Sequence, residues 1–164
     1  MSEAHLGILS HVSLFAGLKE NHEALKTLME LMVIKEYPQG HVLIKEGTMG
    51  DEFYIVIHGQ VSVFKNTPDG DMYKVVILKG DIHPALGEGG LIDNEPRSAT
   101  VICDLQTQCF VLTKEKFSDF CEAHPKWAVS ILNRIALALM ERVRKSNNDM
   151  MLLHKALMNE IRGV

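Results

Sequence analysis

Between Leu86 and Val101 the chain reads LGEGGLIDNEPRSATV, a stretch that gathers residue types suited to holding an anion. Gly87, Gly89 and Gly90 bracket the carboxylate of Glu88, so the backbone there can turn sharply and approach a ligand closely. Leu91, Ile92, Asp93 and Asn94 allow one short helical turn, whose unpaired N–H groups suit a phosphate. Pro96 ends that turn and stiffens the approach to Arg97. The arginine presents a planar fork of donors that matches phosphate oxygens and stays charged at any working pH. Ser98 places a hydroxyl beside it. A loop-tightening salt bridge between Glu88 and Arg97 is the competing reading, but it explains neither the glycines nor Ala99. For Ser98 a local turn bond serves nearly as well.

The elements that must position this stretch change character along the chain. Residues 5 to 35 carry Leu6, Ile8, Leu9, Val12 and Leu14-Phe15, then Leu25, Leu28, Leu31 and Met32, at helical spacing. Gly17 and Asn21 interrupt them, which predicts two helices and a turn within an N-terminal segment 1–37. From Pro38 and Gly40 to Leu112 the pattern becomes short apolar runs broken by Gly47-Thr48-Met49-Gly50, His58-Gly59, Thr67-Pro68-Asp69-Gly70 and Lys79-Gly80-Asp81. Runs at this spacing predict an antiparallel β-sandwich or jelly roll over 38–112, with Asp69-Gly70 as a hairpin turn. Thr113 is a good N-cap for a helix through Phe117, Phe120 and Cys121. A longer helix restarts at His124-Pro125, with the proline tolerated in its first turn. Within that C-terminal segment, 113–164, Val129, Leu132, Ala136, Leu139, Val143, Ser146, Met150, Leu153 and Leu157 recur in threes and fours. They form a heptad-like seam that either packs on the parent domain or pairs with a second copy. The polar run Arg144–Asp149 marks a kink or a second helix start. The fold class is therefore mainly β with flanking α, in one domain spanning 1–164.

Composition narrows the function. A chain of 164 residues with 46% hydrophobic and 23% charged residues can bury a core unaided. Its net charge of −4 argues against non-specific binding to nucleic acid or to an anionic membrane. An anionic ligand must then be drawn by local donors. Cys103, Cys109 and Cys121 have no metal-ligand spacing and suit a reducing compartment. The start lacks a signal-peptide layout and no apolar run reaches membrane-spanning length, so a cytoplasmic location and no membrane partner are expected. Eight histidines are scattered, without the tight His-x-His of a cupin-type metal site, and no Ser/His/Asp order or carboxylate pair stands out. No catalytic residue, metal or cofactor is expected, and the chain does not read as an enzyme.

The order Leu86, Gly87, Glu88, Gly89, Gly90, Leu91, then Arg97, Ser98 and Ala99 resembles the phosphate-binding cassette of cyclic-nucleotide-binding domains. Upstream, Leu43-Ile44, Gly47, Gly50, Phe53-Tyr54-Ile55-Val56 and Gly59 resemble a second signature of the same family, and together the two cover roughly residues 10 to 145. The resemblance is to bacterial cAMP-receptor-like sensory domains. It implies a β-roll carrying the cassette at 86–101. Glu88 would accept the ribose 2′-hydroxyl, and Arg97 would pair with the exocyclic phosphate oxygens. The N–H groups of Gly89 and Gly90 and the Ser98 hydroxyl would complete the cradle. Counted forward, Arg142 and Val143 fall where the following helix meets the purine, although Arg142 reads equally well as a solvated charge beside Glu141 and Arg144. Ile82, Val75 and Leu86 are either apolar walls or core.

Two departures from the family pattern stand out: a longer run into the cassette around His83-Pro84, expected to alter the cavity lip, and Gly89 at a usually apolar position, expected to loosen the short helix. The resemblance implies a ligand, cAMP ahead of cGMP, because cGMP-selective sites of the family often carry threonine where Ser98 stands. It further implies a regulatory sensor acting through its C-terminal helix, as a homodimer or on a downstream effector protein. The family's transcription factors continue into a DNA-reading domain, for which Arg162-Gly163-Val164 leaves no room, so no DNA binding is expected of this chain. The rival reading is a degenerate dimerisation module that binds no nucleotide. A haem or iron–sulfur sensor on the same fold would want clustered cysteines near the N-terminus, which are missing, and it is left with a single axial histidine.

Overall fold

The computed structural model describes residues 3–162; Met1, Ser2, Gly163 and Val164, which the 1–164 domain assignment includes, lie outside the described residues. Helix α1 (Glu3–His11), a 3-10 turn (Ser13–Leu18) and helix α2 (His22–Leu31) open the chain. Asn21 caps α2 by accepting the Ala24 N–H at 3.0 Å. Eight strands follow: β1 (Val33–Tyr37), β2 (Val42–Ile44), β3 (Glu52–His58), β4 (Gln60–Asn66), β5 (Met72–Lys79), β6 (Ala85–Leu86), β7 (Thr100–Cys103) and β8 (Thr107–Thr113). The one-turn helix α3 (Gly89–Ile92) lies between β6 and β7. Helices α4 (Lys114–Ala123) and α5 (Pro125–Arg162) close the chain.

All the strand pairs are antiparallel. They form two four-stranded sheets, in the orders β1-β8-β3-β6 and β2-β7-β4-β5. The expected β-roll is present, but strand character starts at Val33, ahead of the Pro38 boundary. The segment 33–37 is thus not helical: Val33 through Tyr37 pairs along β8 from Val111 to Thr107. A β-branched start pairing with a central strand outweighs the helical spacing that Met32 extends from α2.

Two clusters divide the core. Strand β3 sends Phe53, Ile55 and Ile57 to the helical side and Tyr54 and Val56 into the roll. Strand β8 divides Phe110 and Leu112 from Cys109 and Val111 in the same way. Both strands are covered on both faces, so they read as continuous apolar runs rather than alternating ones. Burial pushes the Cys109 thiol up to about 12 and raises Cys103 and Cys121 as well, as expected of packing cysteines.

Thr113 accepts the Lys116 N–H at 3.4 Å and starts α4, and Pro125 opens α5, both as the sequence predicts. The 38-residue α5 runs unbroken through Arg144–Asp149, so that polar run is neither a kink nor a restart. At 1.5 Å per residue it extends about 57 Å. Its buried residues are Ala128, Ile131 and Ile135, set one position away from the heptad seam. Val129, Leu132, Leu139, Val143, Met150, Leu153 and Leu157 all remain exposed, so the seam is not the face that packs on the parent domain.

Candidate functional site

Arg97 is built into the fold by both sequence signatures at once. Its backbone N–H donates to Thr48 O and its carbonyl accepts from Gly47 N–H, each at 2.8 Å. Its side chain is buried, with Nη1 donating to Gly87 O at 3.1 Å and Nη2 to Glu52 O at 2.5 Å. Three glycines make the room. A Cβ on Gly90 would stand 2.5 Å from Arg97 Nη1, one on Gly50 2.7 Å from Nε, and one on Gly87 2.8 Å from Nη1. Gly87 is also held at φ 78°, a conformation that favours glycine. The guanidinium is thus buried against carbonyl dipoles, and a buried cation favours an anionic partner.

Glu52 anchors the back of this arrangement. Its carboxylate takes Lys35 Nζ and the Tyr54 hydroxyl, each at 2.6 Å. Burial alone would raise its pKa. The hydrogen bonds from Lys35 and Tyr54, with the charges of Lys35 and Arg97, outweigh burial and hold the group below the usual glutamate value. Burial, then Glu52, in turn raise the Tyr54 phenol and keep it protonated.

In front of Arg97 lies a cavity of about 740 Å³ bounded by the cassette, β5 and α5. That volume falls within the range of small-molecule sites, roughly 300–1,000 Å³. Leu86, Gly87, Glu88, Gly89, Gly90, Arg97, Ser98, Ala99 and Arg142 all line it. Leu91 does not: it is buried in the helix-side core, on the inner face of the α3 turn, and acts as an anchor rather than a wall. Val75 and Leu86 are walls, whereas Ile82 is 67% exposed and off the cavity. Val143, the other residue expected at the purine, is exposed on the seam and off the cavity, while Arg142 turns inward.

Three local details differ from the sequence reading. The helical turn begins at Gly89, not Leu91, so the glycines form the turn instead of preceding it. The Gly90 N–H is already taken by Gly87 O at 3.0 Å, which leaves Gly89 as the candidate backbone donor. The extra residues before the cassette fold into a 3-10 turn (Gly80–Ile82) with His83 left-handed at φ 46°. His83 Nδ1 lies 3.3 Å from Val56 O, and Pro84 joins the cavity wall, so the lip is reshaped without intruding on the charged groups.

Arg142 reaches across the cavity mouth to Glu88, with Nη2–Oε1 at 2.7 Å. Its side chain is two-thirds exposed, so this pair contributes little to stability. The sequence reading missed Gly50 as a member of the arginine cage, although it belongs to the upstream signature. It also missed Glu52, Ile135 and Leu139, the last two on the α5 side of the cavity. Val63, Val76 and Leu78 on the strand side carry no sequence signal distinguishing a cavity wall from core.

The family model for the cyclic nucleotide-binding domain matches residues 34–124, more than half the chain, and the chain belongs to that family. It is 33% identical over 87 residues to a cAMP-dependent protein kinase regulatory subunit of Dictyostelium discoideum, covering 52% of this chain and 26% of that one. It is 24% identical over 143 residues to a CRP-like cAMP-activated global transcriptional regulator of Mycobacterium tuberculosis, covering 87% and 60%. Among solved structures, the Thermus thermophilus catabolite activator protein superposes with a TM-score of 0.75 at 25% identity, covering 86% of this chain and 62% of that one. The chain thus spans less than two thirds of these relatives. No described helix is long and apolar enough to cross a membrane, and no group of three or more potential metal ligands occurs among the described residues.

The lowered Glu52 pKa sets a pH dependence. A carboxyl depressed in the folded state contributes stability that is fully present above its unfolded value, about 4.5, and lost as pH falls through the folded one. Urea denaturation is expected to show stability falling more steeply below about pH 4.5 in the wild type than in Glu52→Gln. Parallel profiles would contradict the assignment.

Proposed function

We propose that this chain binds a cyclic nucleotide, cAMP ahead of cGMP, and passes its occupancy on through α5 as a regulatory sensor. The observation that carries this reading is the convergence of Glu88, Arg97 and Arg142 on one cavity. Arg97 meets the cyclic phosphate, aided by the Gly89 N–H and the Ser98 hydroxyl. Glu88 accepts the ribose 2′-hydroxyl. The base lies between the strand wall of Val63, Val76 and Leu78 and the helix wall of Ile135 and Leu139. The relatives named for cAMP support the choice of base, and serine at position 98 agrees with it. A cGMP-dependent protein kinase 2 from mouse, 28% identical over 141 residues, keeps cGMP as the comparison ligand.

Arg142 supplies the link to the output. It holds α5 to the carboxylate that the ribose needs, so a ligand must share or displace that contact. Ligand and helix position are then coupled by the difference in affinity between the two helix positions. The reader of that movement is a downstream effector protein or a further segment of a longer polypeptide.

The exposed seam supports a homodimer through α5. Leu139 belongs to both the seam and the cavity wall, so helix pairing and ligand occupancy are joined at one residue. The degenerate-module reading would keep the seam and lose the ligand; the intact arginine cage favours binding.

Titration calorimetry with cAMP and 2′-deoxy-cAMP tests the ligand assignment. The wild type is expected to bind cAMP about 1.5–3 kcal/mol more tightly than the deoxy analogue, and Glu88→Gln to lose most of that difference. Wild-type protein that binds neither cAMP nor cGMP would overturn the reading. Sedimentation tests the dimer: wild type is expected to sediment as a dimer and Leu153→Glu as a monomer, because a buried charge in an apolar seam is costly. A monomeric wild type at high concentration would refute it.

A further inference from the structure

The far end of the cassette helix is held by a residue to which neither the family signatures nor the cavity draws attention. Lys114, the first residue of α4, sends Nζ to Ile92 O at 3.4 Å, Asp93 O at 3.0 Å and Asn94 Oδ1 at 2.9 Å. These acceptors surround the C-terminal end of α3, where carbonyls have no helical partner and a cation is favoured. The backbone of Lys114 is fixed in turn. Its N–H donates to Asp51 O at 2.8 Å, and Thr113 before it pairs with Glu52 in the β3–β8 ladder. One residue therefore joins the end of the cassette to the strand whose carbonyl receives Arg97.

We infer that Lys114 is a positioning residue for the ligand site: it clamps the C-terminal end of α3 to the rigid β3–β8 ladder and so fixes where Glu88 and Gly89 present themselves. This rests on the cyclic-nucleotide reading for its consequence, though not for its geometry. Two of the four residues of α3 are glycines, so intrinsic propensity gives the turn little support. Arg97 secures one end through Gly87 O, and Leu91 anchors the middle. Without Lys114 the far end has the polar loop Asp93–Pro96 as its continuation. The lysine's acceptors are exposed and can be hydrated, so removing the ammonium costs the fold little while loosening the turn. The clamp also sits at the root of α4, which leads into α5, so the cassette and the moving helix share an attachment point.

The test compares Lys114→Met and Lys114→Arg with the wild type in the full chain. Lys114→Met is expected to bind cAMP about two- to fivefold more weakly, the size of a charge–helix-end interaction. Its thermal midpoint should be nearly unchanged, and Lys114→Arg should restore affinity. In the ligand-free protein, hydrogen exchange of the amides of residues 89–94 should be faster in Lys114→Met and restored in Lys114→Arg. Unchanged exchange in that segment overturns the clamp whether or not any nucleotide binds. Faster exchange with unaltered cAMP affinity overturns its role in the site. A wild type that binds no cyclic nucleotide, with exchange still responding, would instead sink the ligand assignment and leave the clamp standing.

Discussion

A buried guanidinium is the constraint around which this structure is arranged. Arg97 lies beneath the cassette, fixed through its backbone to Gly47 and Thr48 and through its side chain to carbonyls of Gly87 and Glu52. Glycines at 50, 87 and 90 are required because a side chain at any of them would occupy the space the arginine uses. The two sequence signatures, far apart in the chain, therefore describe the walls of one small chamber. Carbonyl dipoles and the nearby Glu52 carboxylate offset part of the cost of burying this charge, and an anion in the cavity would offset more.

The rest of the fold holds that chamber between the β3–β8 ladder and helix α5. Strands β3 and β8, buried on both faces, supply the frame: Glu52 on β3 receives Arg97, and Lys114, which follows β8 at the start of α4, reaches the end of α3. Helix α5 buries Ala128, Ile131 and Ile135 in the body and ties Arg134 Nε to Ser13 O at 3.1 Å, and further along it meets the cassette at the Arg142–Glu88 pair.

Much of this was legible in the sequence because local chemistry and tertiary demand coincided. The Asp69-Gly70 turn, with Gly70 at φ 93°, and the Thr113 cap need only their neighbours to be predicted. What escaped depended on partners distant in sequence. Val33–Tyr37 continues a helical spacing but pairs with β8. Leu91 sits in a ligand motif yet turns toward the core, because a single helical turn has an inner and an outer face. On α5 the heptad seam drew attention to Val129 and Leu132, while the packed face, one residue away, depends on where the 3-10 turn Ser13–Leu18 lies. Glu52 gave no sequence signal, because its carbonyl contact to Arg97 could come from any residue and its carboxylate partner Lys35 lies seventeen positions away.

Titration calorimetry of Arg97→Ala with cAMP, set beside the wild type, probes the arginine cage most directly. Binding is expected to weaken by about 2–5 kcal/mol when the guanidinium is removed, while the β-roll remains folded. A folded Arg97→Ala protein that binds cAMP as tightly as the wild type would show that the buried arginine serves only the loop around it.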